Sequence, residues 1–127
     1  MPLPRILLVD DEPVVLVLMQ RALTEAGYDV LPASNGMEAL ELAAAACPHV
    51  DAVVTDLQMP QMGGEALAAA VRQADPTLPI LFVSGFECSQ ALTLPGPVLP
   101  KPFTPDQLVS AIGRLLTDPV PDRQASA

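Results

Sequence analysis

Carboxylates, a hydroxyl and an amine follow short apolar runs in this 127-residue sequence. Asp10 and Asp11 follow the first run, Asp56 another, and Ser84 and Lys101 two later ones. Three carboxylates brought close together repel one another, so a cation is needed before all three can ionise cheaply. Oxygen ligands with retained water suit Mg²⁺, while a lysine and a hydroxyl suit phosphate. If these residues meet, they form a phosphoryl-transfer site in which Asp56 is the natural nucleophile.

Taken singly, each of these residues has a simpler explanation. The Asp10-Asp11-Glu12 run could serve only to stabilise a helix start through the helix dipole. Asp56 and Ser84 could be turn residues, and Lys101 could be an exposed surface charge. A site is therefore indicated only if the fold brings these residues to one place.

The secondary-structure pattern provides such a place. Short apolar runs alternate with helical patterns, which predicts repeated βα units around a parallel sheet buried on both faces. Five strands are predicted, at residues 5–9, 28–33, 52–55, 79–83 and 98–100. In such open sheets a ligand binds outside the carboxyl ends of the strands, where the strand order reverses. The candidate residues all follow strand ends, so the predicted sheet gathers them at one edge.

Helices are predicted over residues 13–26, 36–46, 64–74 and 105–116. Gly27 should end the first helix in a left-handed conformation, Ser34 or Asn35 should cap the second, and Thr104 the last. The first helix should present a core stripe that leaves Leu16 and Val17 outside. Single exposed apolar residues are common and need no explanation, and a docking patch for a kinase helix pair is the alternative interpretation. The predicted stripe comprises Val15, Leu18, Met19, Ala22, Leu23 and Ala26. Proline between the fourth and fifth strands should leave the fourth helix there shortened, irregular or missing.

Composition and charge limit the classes of protein. We expect one domain over residues 1–117, followed by a disordered tail or linker at 118–127. No apolar run is long enough for a membrane span and no signal-peptide pattern is present, so we expect a cytoplasmic location. A net charge of −9 with only six basic residues argues against direct nucleic-acid binding. Cys47 and Cys88 are isolated, which fits reduced thiols better than a disulfide or zinc site.

The motifs, in order, resemble those of the receiver domain of two-component signalling. The resemblance covers residues 5 to about 116, and the segment 81–86 is similar to receivers attached to hybrid sensor kinases. The matching motifs are Leu7-Leu8-Val9-Asp10-Asp11-Glu12-Pro13, Thr55-Asp56-Leu57-Gln58-Met59-Pro60-Gln61-Met62-Gly63-Gly64, Val83-Ser84-Gly85 and Lys101-Pro102-Phe103.

The resemblance implies an α/β fold, a flavodoxin-like five-stranded parallel sheet in the order 2-1-3-4-5, with Mg²⁺ at its edge. Asp11, Asp56 and the backbone carbonyl of Gln58 would bind the metal, and Asp10 would hold its water ligands. Asp56 would take a phosphoryl group from the phosphohistidine of a histidine kinase or a histidine phosphotransfer domain.

The resemblance also implies roles at the ends of the last two strands. Lys101 would pair with the phosphoryl oxygens, Ser84 would swing towards them, and the peptide bond between Lys101 and Pro102 would be cis. Val98 stands where the family often has an aromatic residue that turns inward on activation, so that switch cannot operate here.

Two other functions remain open from the sequence. The first is a receiver-like protein-interaction module that signals without phosphorylation, which the Val98 position and the altered fourth-helix segment favour. The second is a phosphatase that acts on external substrates. Gln58 stands where such an enzyme needs a second carboxylate as general acid, so we expect no enzyme activity beyond self-phosphorylation and slow autodephosphorylation.

Overall fold

The computed structural model describes residues 3–45, 50–85 and 96–117, in which five strands and four helices follow one another along the chain. The strands are β1 (Arg5–Val9), β2 (Asp29–Ala33), β3 (Ala52–Asp56), β4 (Ile80–Ser84) and β5 (Val98–Pro100). The helices are α1 (Pro13–Glu25), α2 (Gly36–Ala45), α3 (Gly64–Ala74) and α4 (Pro105–Thr117). Every predicted boundary within the described residues is correct to within one residue.

All four strand pairings are parallel, and the sheet order is β2-β1-β3-β4-β5. The predicted flavodoxin-like order is therefore confirmed. Strand β2 lies on one side of β1, whereas β3, β4 and β5 follow in turn on its other side. The strand order therefore reverses between β1 and β3. The carboxyl ends of these two strands border the crevice in which open parallel sheets bind ligands.

The sheet is buried on both faces, which explains why its strands read as continuous apolar runs. Alternate strand residues point to opposite faces, so each strand contributes to two hydrophobic clusters. The first cluster packs β-strand residues such as Leu7, Val53 and Phe82 against α2 and α3. The second packs residues such as Leu8 and Val54 against α1 and α4.

Local capping interactions fix where the helices begin and end. The Asn35 side chain accepts a hydrogen bond from the Glu38 backbone N–H (2.8 Å), and this makes Asn35 the cap of α2. Thr104 caps α4, because its hydroxyl accepts from the Gln107 N–H (3.1 Å) while the Gln107 side chain accepts from the Thr104 N–H (2.8 Å). Gly27 has φ of 99°, which confirms the predicted left-handed stop after α1.

One face of α1 was predicted wrongly. Leu18 and Ala26 were expected in the core, but Leu18 is 58% exposed and Ala26 is also exposed. Leu16, expected to lie outside, packs instead against the cluster that contains the buried Met19 and Leu23. The outward stripe of α1 is therefore Val14, Val17 and Leu18, which are spaced three and four residues apart and are all more than half exposed.

Several other expectations fall outside the described residues. They concern the fourth helix between β4 and β5, the tail at 118–127, and the two cysteines, Cys47 and Cys88. The helix that we label α4 is the one predicted to follow the last strand. In the described part of the chain, the helices are too short or too polar to cross a membrane.

Candidate functional site

The candidate residues gather at the carboxyl edge of the sheet because every strand runs in the same direction. Asp10 directly follows β1, Asp56 ends β3, Ser84 ends β4 and Lys101 directly follows β5. Asp10, Asp56 and Ser84 are all at most 5% exposed, although they are polar. Burying polar groups costs free energy of folding unless the groups interact with one another. Their clustering at adjacent strand ends therefore indicates a functional site.

Lys101 links the strand ends through its ammonium group. Its Nζ lies 3.2 Å from Asp10 Oδ2, 3.4 Å from Asp56 Oδ2 and 3.9 Å from Glu12 Oε1. The peptide bond between Lys101 and Pro102 is cis, as the resemblance implied. A single cation therefore faces three carboxylates from two other elements of the sheet edge.

Three carboxylates at this edge could hold a metal ion. Asp10, Asp11 and Asp56 each offer an oxygen, and these oxygens lie within 4.8 Å of one another. Such an all-oxygen set suits a hard divalent cation, which would relieve the repulsion among the carboxylates. The structure therefore brings together the three carboxylates nominated from the sequence, and their roles as metal ligands, like that of the Gln58 carbonyl, stay a prediction.

Backbone hydrogen bonds orient the two buried carboxylates. The Glu12 N–H donates to Asp10 Oδ1 (2.9 Å), and the Gln58 N–H donates to Asp56 Oδ1 (3.2 Å). The Thr55 hydroxyl donates to the carbonyl of Asp56 (3.1 Å). On Asp56, one carboxylate oxygen is thus held by the following loop and the other faces Lys101.

Gly64 lets helix α3 start directly against the end of strand β3. A Cβ atom at this position would lie 2.6 Å from the Asp56 carbonyl oxygen and 3.1 Å from Leu57 Cα. The Gly64 N–H also donates to the Leu57 carbonyl (3.1 Å), which closes the loop after β3. A larger side chain would push this loop away from Asp56.

The surroundings of Asp56 and Lys101 raise the pKa of both side chains. Burial raises the pKa of Asp56, and Asp10 adds to the rise, while the Gln58 N–H and Lys101 oppose it without cancelling it. Burial by itself lowers the pKa of Lys101, but the charges of Asp10 and Asp56 outweigh it and leave that pKa raised. At neutral pH Lys101 is therefore positively charged. Keeping Asp56 ionised in the folded state lowers the stability of the fold.

That cost predicts a pH dependence of folding stability. The pKa of Asp56 is raised in the folded state, so its favourable contribution is full below the unfolded-state pKa and is lost as pH rises through the folded-state pKa. In urea unfolding without divalent cations, Asp56→Asn should therefore gain stability over wild type as pH rises from acidic to neutral. Asp106→Asn, at an exposed position of α4, controls for loss of a carboxylate. A gain for Asp56→Asn that is equal at every pH would contradict the prediction.

Two residues of this region were not singled out from the sequence. Thr55 is fully buried beside Asp56, and Glu12 is an ion-pair partner of Lys101. Thr55 could have been noticed as a polar residue at the end of an apolar strand. Glu12 was grouped with the charges of a helix start, and its contact with Lys101 depends on the fold.

Comparisons with known proteins agree with the geometry. The family model of the response regulator receiver domain matches residues 6–113. The sensor kinase CckA of Brucella abortus (strain 2308) is 40% identical over 116 residues, covering 87% of this chain and 12% of that protein. The response regulator MprA of Mycobacterium leprae (strain TN) is 36% identical over 129 residues, covering 97% and 55%. The chain thus spans about half, or much less, of these curated relatives.

Solved structures give similar matches over nearly their whole length. The receiver protein from Sinorhizobium medicae WSM419 has a TM-score of 0.84 and 35% identity, covering 91% of this chain and 96% of that one. The receiver domain of the hybrid histidine kinase CckA has a TM-score of 0.78 and 34% identity, covering 89% and 99%. TrrA of Thermotoga maritima, solved in complex with Mg(2+)-BeF, has a TM-score of 0.77 and 29% identity, covering 89% and 99%.

Proposed function

The chain belongs to the response regulator receiver domain family, and from this membership we propose that it is the phosphoacceptor of a two-component phosphorelay. Asp56 takes a phosphoryl group from a phosphohistidine, with Mg²⁺ bound, and the domain switches conformation. The observation that carries this proposal is the placement of Asp56, buried at the end of β3, 3.4 Å from Lys101 and within the carboxylate cluster.

The residues at the strand ends fit a magnesium ion. Asp11, Asp56 and the carbonyl of Gln58 would bind it, and Asp10 would hold its water ligands. When bound, the ion supplies positive charge that neutralises both the carboxylates and the incoming phosphoryl oxygens. The similarity to TrrA, which was solved with Mg²⁺ and a beryllium fluoride, supports this assignment.

The chain's own residues account for the transfer. A carboxylate oxygen of Asp56 forms a bond to phosphorus, while the bond from phosphorus to the donor's histidine nitrogen breaks and its electron pair returns to the imidazole. Lys101 already lies beside the Asp56 oxygen, so it can pair with a phosphoryl oxygen without a large movement. We assign Asp56 as the acceptor and Lys101 as the group that stabilises the transferred charge.

We propose that Ser84 couples phosphorylation of Asp56 to the change of conformation. It is buried at the end of β4, and its carbonyl accepts a hydrogen bond from the Lys101 N–H (2.6 Å), which joins the ends of β4 and β5. A hydroxyl bond to the new phosphoryl group favours one arrangement of this edge over another. A preference of about 1.4 kcal/mol changes the ratio of the two states about tenfold. Val98, partly buried against the core, provides no aromatic ring to follow the movement.

The proposed donor is a histidine kinase or a histidine phosphotransfer domain in the cytoplasm. As a signalling domain, the chain acts on its own aspartate and releases the phosphate slowly, and we propose no external substrate. Gln58, rather than an acid, stands two residues after Asp56 and is consistent with slow release.

We propose that the donor docks along α1. A mainly apolar cavity of about 600 Å³ lies between α1 and the start of α4, lined by residues that include Val15, Leu18 and Phe103. Lys101 lines the same cavity, so a protein seated there lies against the phosphorylation site. The outward stripe of Val14, Val17 and Leu18 extends this apolar surface towards solvent.

Acidic substitutions on this stripe should separate docking from chemistry. In the double variant Val17→Glu, Leu18→Glu, transfer from a phosphorylated histidine phosphotransfer domain should slow by about tenfold or more, since each energetically important interface residue contributes more than about 1 kcal/mol. Labelling by acetyl phosphate should change little, because that donor needs no docking surface. Ala69→Glu, at an exposed position of α3, is the matched control. Equal transfer by the double variant and wild type would exclude this surface.

A simple labelling experiment tests the proposed function itself. The protein is incubated with Mg²⁺ and acetyl phosphate, and its intact mass is measured. We expect one phosphoryl group per chain, labile to base as an acyl phosphate is. Absence of any adduct would favour the phosphorylation-independent interaction module instead.

A further inference from the structure

Among the described carboxylate partners of Lys101, Glu12 is the one that lies mostly in solvent. Its side chain is 64% exposed, whereas those of Asp10 and Asp56 are 0% and 7% exposed. Its Oε1 atom is 3.9 Å from Lys101 Nζ. Glu12 therefore adds negative charge at the solvent side of the site, where a phosphodonor must enter.

The backbone around Glu12 fixes this position. Its N–H donates to Asp10 Oδ1, its carbonyl accepts from the Leu16 N–H (3.0 Å), and Pro13 follows it as the first residue of α1. Glu12 occupies the N-cap position, yet its side chain makes no capping hydrogen bond. The side chain is thus not engaged by the helix, unlike the usual capping residues Ser, Thr, Asp and Asn.

We propose that Glu12 is a specificity-determining residue that disfavours small dianionic phosphodonors at Asp56. This inference rests on the proposed function. The charge of Glu12 repels the donor's phosphoryl group and competes with it for Lys101. A protein donor offsets this repulsion with apolar contacts along α1, whereas a free small molecule has no such contacts. The residue thereby favours phosphorylation by a docked protein over phosphorylation by metabolites.

Two small donors of different charge allow the electrostatic effect to be isolated. With acetyl phosphate, a dianion at neutral pH, the Asp56 oxygen bonds to phosphorus and acetate leaves with the electron pair of the broken P–O bond. With phosphoramidate, a zwitterion of net charge −1, the P–N bond breaks and neutral ammonia leaves. Both reactions yield the same aspartyl phosphate, so only the approach of the donor differs.

The test compares Glu12→Gln with wild type at saturating Mg²⁺. Neutralising one charge beside Lys101, where the dianion approaches, should raise the second-order rate constant with acetyl phosphate about threefold at moderate ionic strength. The rise with phosphoramidate should be smaller, below about twofold, and both should shrink as salt is added. Glu41→Gln, at an exposed position of α2, is the control for loss of a carboxylate and should change neither rate.

Each outcome decides the proposal. A larger gain with the dianion that falls with salt supports it. No gain, or an equal gain with both donors, would overturn it while leaving Asp56 as acceptor. If neither the small donors nor a phosphorylated histidine phosphotransfer domain labels the wild type, while the protein is folded and binds Mg²⁺, the proposed function fails and this inference fails with it.

Discussion

Replacing Asp56 with asparagine should abolish labelling by acetyl phosphate, with a loss of about a thousandfold or more, as expected when a nucleophile is removed. An amide is a poor nucleophile and cannot form an acyl phosphate. The change preserves the shape of a side chain that is only 7% exposed, so the fold should persist. The rate of adduct formation, followed by intact mass, is the measurement.

Two observations make this result interpretable. Asp106→Asn removes a carboxylate from an exposed position of α4 and should be labelled like wild type. Circular dichroism and urea unfolding should show that Asp56→Asn is folded. Persistent labelling of the folded variant would place the acceptor elsewhere, with Asp10 and Asp11 the nearest alternatives.

Chelating divalent cations should reduce phosphorylation to background and lower the stability of the fold. Asp10, Asp11 and Asp56 lie close together, while Lys101 supplies one positive charge to Asp10 and Asp56. Mg²⁺ binds only when these residues are assembled, so a concentration of one hundred times its Kd should stabilise the protein by about 2.7 kcal/mol. Urea unfolding with Mg²⁺ and with EDTA measures this difference.

Asp11→Asn is the informative variant for the metal. Among the ion pairs of the described residues, none joins the Asp11 carboxylate to Lys101. Its loss should therefore weaken stabilisation by Mg²⁺ while leaving the Lys101 ion pairs intact. Asp75→Asn, at the end of α3, should keep the full response to Mg²⁺. Phosphorylation that proceeds equally in EDTA would contradict the assigned role of the cation.

Sequence patterns predicted the sheet and the location of the site well, for identifiable physical reasons. Strands buried on both faces must be apolar throughout, so polar residues such as Asp10 and Lys101 mark where they end. Caps at Asn35 and Thr104 marked the helix starts in the same way. Once all strands were parallel, the residues that follow them had to meet at one edge.

The orientation of α1 could not be predicted in the same way. Six residues in a row, Val14 to Met19, are apolar, so more than one core-facing stripe fits the pattern. The packing partner decides the matter: α1 lies against α4, and Leu16 rather than Leu18 faces the shared cluster. Similarly, the contact of Glu12 with Lys101 joins residues from opposite ends of the chain, which only the tertiary fold brings together.

The most direct test of the central claim is to locate the phosphoryl group. The protein is labelled with acetyl phosphate and Mg²⁺, treated with borohydride, which reduces an aspartyl phosphate to homoserine, and sequenced by tandem mass spectrometry. Phosphorylation at the end of β3 predicts homoserine at position 56 and an unchanged Asp10 and Asp11. Homoserine at another position, or none in a protein that is folded and binds Mg²⁺, would contradict Asp56 as the phosphoacceptor.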